Sequence, residues 1–140
     1  MGTPALIGII EPDKTITAVR CNYDGYVSHA GKMLVENFDT EEKVRELFSY
    51  GDMSAIGAKI GTKHDFKSHH AGNGEMCLFY GRDRGEENVD ALHYSSKVML
   101  VREGEGYNYI FNPETNCWVC FGYTGRKLSL TKLYKEKVGA

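Results

Sequence analysis

Apolar and β-branched residues gather at Ala5 to Ile10 and again at Thr15 to Cys21. Between them stands Glu11-Pro12-Asp13-Lys14, where proline presets a turn dihedral and the aspartate can bond its own backbone. That pattern predicts a β-hairpin. Ser28 is placed to cap a short helix running through Asn37, and Asp39 with Glu42 three residues on reads as a capping box. The helix behind that box carries Val44, Leu47 and Phe48 on one face, with Gly51 as its stop. From Gly51 to Gly85 the pattern is glycine-rich and aperiodic apart from Met76 to Tyr80, which predicts a long loop region around one strand. Val89, Leu92, Ser96 and Met99 follow helical spacing, so Asn88 to Arg102 is read as a helix with an extended exit. Tyr107 to Phe111 and Cys117 to Gly122 flank a turn, Asn112 to Asn116, and form a second hairpin. Two hairpins separated by helices predict a single α+β domain over residues 1–140, with a mainly antiparallel sheet and helices on one face.

Composition narrows the function classes. The chain has 140 residues, 41% hydrophobic and 26% charged, which fits one folded domain and argues against disorder. Its longest apolar runs fall far short of the roughly 20 residues a membrane helix needs, so no membrane association is expected. With 17 basic and 19 acidic residues the net charge is −2, which gives no general attraction to nucleic-acid phosphates. Met1-Gly2-Thr3-Pro4 shows neither the basic nor the apolar region of a secretory leader, and Leu6 stands where a myristoylation motif wants Ser or Thr. Reduced cytosolic thiols are therefore expected for Cys21, Cys77, Cys117 and Cys120.

Cys117-Trp118-Val119-Cys120 matches C-x-x-C but lies inside a predicted strand, where the two thiols project to opposite faces. A structural role follows, with no metal and no cofactor expected. His64, His69 and His70 have Asp65, Glu75 and Cys77 nearby, without the spacing of a zinc site, and His29 and His93 read as surface or cap residues. No nucleophile elbow, P-loop, dinucleotide fingerprint or H-E-x-x-H occurs, so no catalytic residue is assigned. The richest cluster is Tyr80-Gly81-Arg82-Asp83-Arg84-Gly85-Glu86, where Arg82 and Arg84 could present planar forks to a phosphate. The competing reading is a turn whose arginines pair with Asp83, Glu86 or Glu87. Asn22-Tyr23-Asp24-Gly25-Tyr26 is the second cluster, with Tyr23 and Tyr26 available to stack on a base and Asp24 between them. The same tyrosines could instead cover the end of the core.

Together, Cys21 to Tyr26, Gly31 to Phe38, Lys43 to Gly57 and Tyr80 to Glu86 resemble a family of small uncharacterised phage and prophage proteins. In that family the first block carries a His-Trp pair and a proline after Asp-Gly-Tyr. Here Asn22-Tyr23 and Val27 stand in those places, so aromatic character remains and the histidine does not. The resemblance implies a phage or prophage accessory protein in the host cytoplasm that counters host defence by non-catalytic binding. A nucleotide-type immune signal is the expected ligand, bound by Arg82, Arg84, Tyr23, Tyr26 and Asp24. The alternatives are a protein that inhibits a host defence complex by binding it, and a small hydrolase acting on a nucleotide. Aromatic strands with sheet edges further predict a homo-oligomer.

Overall fold

The Pro12 turn closes as its residues dictate. Asp13 accepts a bond from the Thr15 amide at 3.1 Å, and Lys14 takes the left-handed conformation at φ 71°. The computed structural model describes residues 3–63, 76–96, 106–121 and the strand 127–129. The turn joins β1 (Ala5–Ile10) to antiparallel β2 (Ile16–Cys21). The second hairpin forms as the alternation predicts, from β6 (Tyr107–Asn112) and β7 (Cys117–Phe121). The remaining strands are β3 (Met53–Ala55), β4 (Leu78–Phe79), β5 (Leu92–Tyr94) and β8 (Lys127–Ser129).

These strands form one sheet in the order β4-β3-β2-β1-β6-β7-β8, with β5 pairing β2 off that path. The sheet is mixed, which corrects the mainly antiparallel arrangement expected. β1 and β6 pair in parallel from Ala5↔Tyr107 to Ile9↔Phe111, and β2 pairs β3 in parallel at Cys21↔Met53. Parallel pairing needs a long crossover, and here the helices and β3 to β5 all lie between β2 and β6 in the chain.

Both faces of the central strands are buried. Ile7, Ile9, Val19, Tyr109, Phe111 and Trp118 join one apolar cluster. Leu6, Ile16, Ala18, Ile110 and Phe121 join another on the opposite face. α1 (Lys32–Asn37) and α2 (Glu41–Phe48) both pack on the first cluster, through Leu34 and Val35 and through Val44, Leu47 and Phe48. The predicted apolar face of α2 is thus the buried one.

The helix ends differ from the sequence reading. A π-helical turn, Val27–Gly31, precedes α1, and its N-cap is Tyr26 with no side-chain cap, so Ser28 lies within the turn instead of capping it. α2 is capped by Thr40, whose hydroxyl accepts from the Lys43 amide at 3.3 Å. Asp39 instead meets the Lys43 ammonium at 3.4 Å. Gly51 does follow the end of α2, at φ 78°, where a Cβ would stand 2.3 Å from the Val89 carbonyl oxygen.

Two further corrections concern the middle of the chain. The stretch from Gly51 to Gly85 holds β3 and a helix, α3 (Tyr80–Arg84), besides the expected strand at Leu78–Phe79. The helix expected over Asn88 to Arg102 is a strand at Leu92–Tyr94, because that segment pairs with Ile16 to Ala18 of β2. The extended exit at 97–102 lies outside the described residues, as do His64, His69, His70 and Gly122. Cys117 falls on the face of Val119 and Phe121, whereas Cys120 joins the cluster of Trp118, so the two thiols do diverge. Among the described residues no helix is long and apolar enough to cross a membrane.

Candidate functional site

β2 ends at Cys21, and three of the next five residues are fixed by hydrogen bonds to four partners. The Asn22 and Tyr23 amides donate to Met53 O and Ser54 O at 3.2 and 2.8 Å, and the Gly25 amide donates to Thr3 O at 2.7 Å. The buried Tyr109 hydroxyl donates to Gly25 O at 2.6 Å. Asp24 between them is left-handed at φ 57°. On this fixed backbone Tyr23 and Tyr26 keep 49% and 38% of their surface exposed. These two exposed tyrosines, on either side of Asp24-Gly25 just past the end of β2, make up an aromatic ridge.

Gly25 is what permits the ridge. A Cβ here would come within 2.5 Å of Thr3 O and 2.7 Å of the Ala5 side chain, both part of the β1 entry. Gly25→Ala should therefore cost about 1 to 3 kcal/mol in chemical denaturation, the usual penalty of overpacking. A cost below 0.5 kcal/mol would mean that β1 yields without strain.

The second cluster adjoins the first. The Asn22 side-chain amide donates to the Tyr80 hydroxyl at 2.7 Å, which ties the ridge to the first residue of α3. Gly85 ends that helix at φ 77°. Arg82 and Arg84 have different environments. The Arg82 side chain is 11% exposed. Its Nε and one Nη donate to the two oxygens of Asp83 at 3.0 and 3.1 Å. Its remaining N–H groups reach the carbonyls of Ile60, Gly61 and Cys77 at 2.8, 3.3 and 3.0 Å. All five donors of the guanidinium thus have acceptors within the protein. The fork also lies 4.8 Å from the Phe79 ring centre and 5.5 Å from that of Tyr50. Asp83 is fully buried as a side chain and also accepts from the Phe79 amide at 2.9 Å. Arg84 is 55% exposed and approaches Glu86 at 3.4 Å, a surface pair worth about 0 to 1 kcal/mol.

Two thiols lie beneath the ridge. Cys21 is pushed up to about 12 by burial, and Cys77 to about 11 for the same reason. The Gly57 amide donates to the Cys77 sulfur at 3.3 Å, and the Cys21 thiol donates to Tyr23 O at 3.4 Å. Burial thus disfavours the thiolate, the reactive form, at both sulfurs. Among the described residues no three His, Cys, Asp or Glu side chains gather into a metal-holding group.

A concavity of about 310 Å³ opens at the other end of the strands, between the two hairpin turns and the start of α2. Glu11, Lys14, Glu41, Arg45, Pro113 and Glu114 line it. Arg45 grips Glu11 with both Nη atoms at 2.7 and 3.1 Å and meets Glu41 at 2.9 Å. The Arg45 fork holds the Glu11 carboxyl below its ordinary range. The cleft is lined by residues of the two hairpin turns read from the sequence and by none of the candidate ligand-binding residues.

Sequence reasoning missed the roles of two residues beside the ridge. Asn22 stands in the second cluster without a role of its own, yet it forms the bond to Tyr80. His29 reads as a surface or cap residue, yet it sits half-buried in the π-helical turn with its ring centre 6.2 Å from that of Tyr26. Their hydrogen-bond partners, Tyr80 for Asn22 and Ile56 for His29, come from other parts of the chain and leave no spacing signal. No family model, curated protein or solved structure matches the chain.

Proposed function

We propose that this chain is a phage or prophage accessory protein that acts in the host cytoplasm, as a homo-oligomer, by non-catalytic binding of a nucleotide-type immune signal. One observation carries the reading: Tyr23 and Tyr26 are exposed on a backbone that Met53, Ser54, Thr3 and Tyr109 hold in place. Exposed rings on a prearranged backbone lose little freedom when a base stacks on them. Arg84, one helical turn beyond Tyr80, supplies the cation for a phosphate, and Asp24 sets the turn that separates the two rings. Arg82 serves the site by holding α3, since its donors face protein acceptors.

Thermal-shift measurements against cyclic and linear nucleotides test the reading. A ligand at 100 times its dissociation constant stabilises the native state by about 2.7 kcal/mol. Tyr23→Ala and Arg84→Ala should each weaken the complex by roughly one to two powers of ten, since a stacked base contributes about 1 to 3 kcal/mol and a charge-assisted bond about 1.5 to 3. Unchanged affinity in both variants, with the fold intact, would remove the ridge from the site. The second reading is a protein inhibitor of a host defence complex, favoured by the position of both tyrosines on open surface outside the charged cleft. Tyrosine and arginine dominate protein interfaces, and a flat nucleotide panel would move the assignment there. The hydrolase alternative has less support, because Asp83 is buried against Arg82 and Glu86 pairs with Arg84.

A further inference from the structure

The π-helical turn Val27–Gly31 places one side chain, His29, in a position the hydrogen bonds define closely. Its Nε2 lies 2.8 Å from the carbonyl oxygen of Ile56. A carbonyl only accepts, so Nε2 must carry the proton, and in the neutral ring Nδ1 is then a bare acceptor. Among the described residues no group donates to that nitrogen. The ring is also tilted 58° against Tyr26, itself 38% exposed and one of the two residues of the ridge. π-Helical turns are rare, and they recur where a helix is locally rearranged to aim a functional group. An exposed ring for stacking and an unused acceptor beside it are the two elements needed to hold a base and to read its edge.

We infer that His29 is a specificity-determining residue of the ridge, whose Nδ1 accepts a hydrogen bond from the exocyclic amine of a nucleobase stacked on Tyr26. The inference rests on the nucleotide-binding reading above and deepens it. The ligand class narrows to nucleotides with an amino-bearing base, because a keto group at the same place would set one acceptor against another. Ile56 has a defined part in this. Its carbonyl, at the exit of β3, fixes the tautomer by accepting the hydrogen bond of Nε2–H, as an orienting partner does for a catalytic or metal-binding histidine.

Matched probes test it by calorimetry. AMP is compared with purine riboside 5′-monophosphate, and CMP with zebularine 5′-monophosphate; each analogue carries hydrogen in place of the amine. Wild-type protein should bind AMP or CMP about three- to tenfold tighter than its analogue, the worth of one neutral hydrogen bond. His29→Phe keeps a ring against Tyr26 and should erase that preference while retaining the residual affinity of stacking. His29→Gln can donate to Ile56 and accept from the amine at once, so it should restore much of the preference. If His29→Phe fails to fold, nitrogen NMR of the wild-type ring replaces it: the Nδ1 resonance should move on adding the amino nucleotide and stay in place with the analogue. Equal binding of both members of each pair, or a preference that survives His29→Phe, overturns the role of His29 and leaves the ridge as a binding site. Binding of none of the four probes overturns the inference, whereas a flat panel of cyclic and linear nucleotides overturns the nucleotide reading itself.

Discussion

Replacing Arg82 by methionine is expected to destabilise the protein by about 3 to 5 kcal/mol, the cost of leaving a buried charge without its partner. Asp83 is that charge: its side chain is fully buried, and two of its bonds come from Arg82. The same change would orphan the carbonyls of Ile60, Gly61 and Cys77, which come from two separate stretches of chain. Lysine is not an adequate substitute, because a single ammonium cannot span five acceptors spread around a planar fork. Urea denaturation of Arg82→Met, Arg82→Lys and the double variant Arg82→Met with Asp83→Asn would decide the matter. The double variant should lose less than Arg82→Met alone, since the amide removes the buried charge and can still accept from the Phe79 N–H. A loss below 1 kcal/mol for Arg82→Met would show that the guanidinium does not clamp α3 to its neighbours.

This expectation also separates stability from binding in the cluster that the sequence brought forward. Loss of ligand affinity in an Arg82 variant would report on the loss of α3, because the side chain has no donor left for a phosphate. Arg84 is the contrasting case. It is exposed and weakly paired, so its replacement should leave stability nearly unchanged, and any effect on binding belongs to the contact itself.

How much of this was legible depends on the sequence distance over which each feature is decided. The first hairpin is local: Pro12, Asp13 and the alternation on either side are enough to specify it, and β1 and β2 follow. The second hairpin is legible for the same reason. The parallel contact of β1 with β6 joins residues about a hundred positions apart, as in Ala5 with Tyr107, and no local pattern encodes such a pairing. Thr40 and Asp39 are both good caps. The choice between them depends on Lys43, which gives its amide to one and its ammonium to the other. Leu92 to Tyr94 has helical spacing with its neighbours and is nonetheless a strand, because β2 offers an unpaired edge at Ile16 to Ala18. In the candidate site, two tyrosines around an Asp-Gly step could be read from the sequence, but their exposure could not, since covering the end of the core was an equal reading. The fate of Arg82 could not, since three of its acceptors are carbonyls of Ile60, Gly61 and Cys77, which have no sequence signature.

Trp118→Ala should cost about 3 to 5 kcal/mol from the lost side chain and its cavity, and more where the polar bond goes with it. Trp118 is fully buried, with its ring centre 5.1 Å from that of Phe111. Its indole N–H donates to the carbonyl of Phe38 at 2.7 Å. Phe38 is the C-cap of α1, where helix carbonyls lack intrahelical partners, so this bond joins the end of a helix to β7 of the sheet. Trp118→Phe separates the two contributions. It retains most of the apolar volume and deletes the donor, leaving the Phe38 carbonyl buried without that bond, for about 1 to 3 kcal/mol. Denaturant midpoints of both variants, measured with the slope held in common, distinguish packing from hydrogen bonding. If Trp118→Phe is as damaging as Trp118→Ala, the indole bond to α1 dominates. If it is silent, the helix end has another way to satisfy its carbonyl, and apolar packing that includes Leu34, Val35 and Phe38 holds α1 on the sheet.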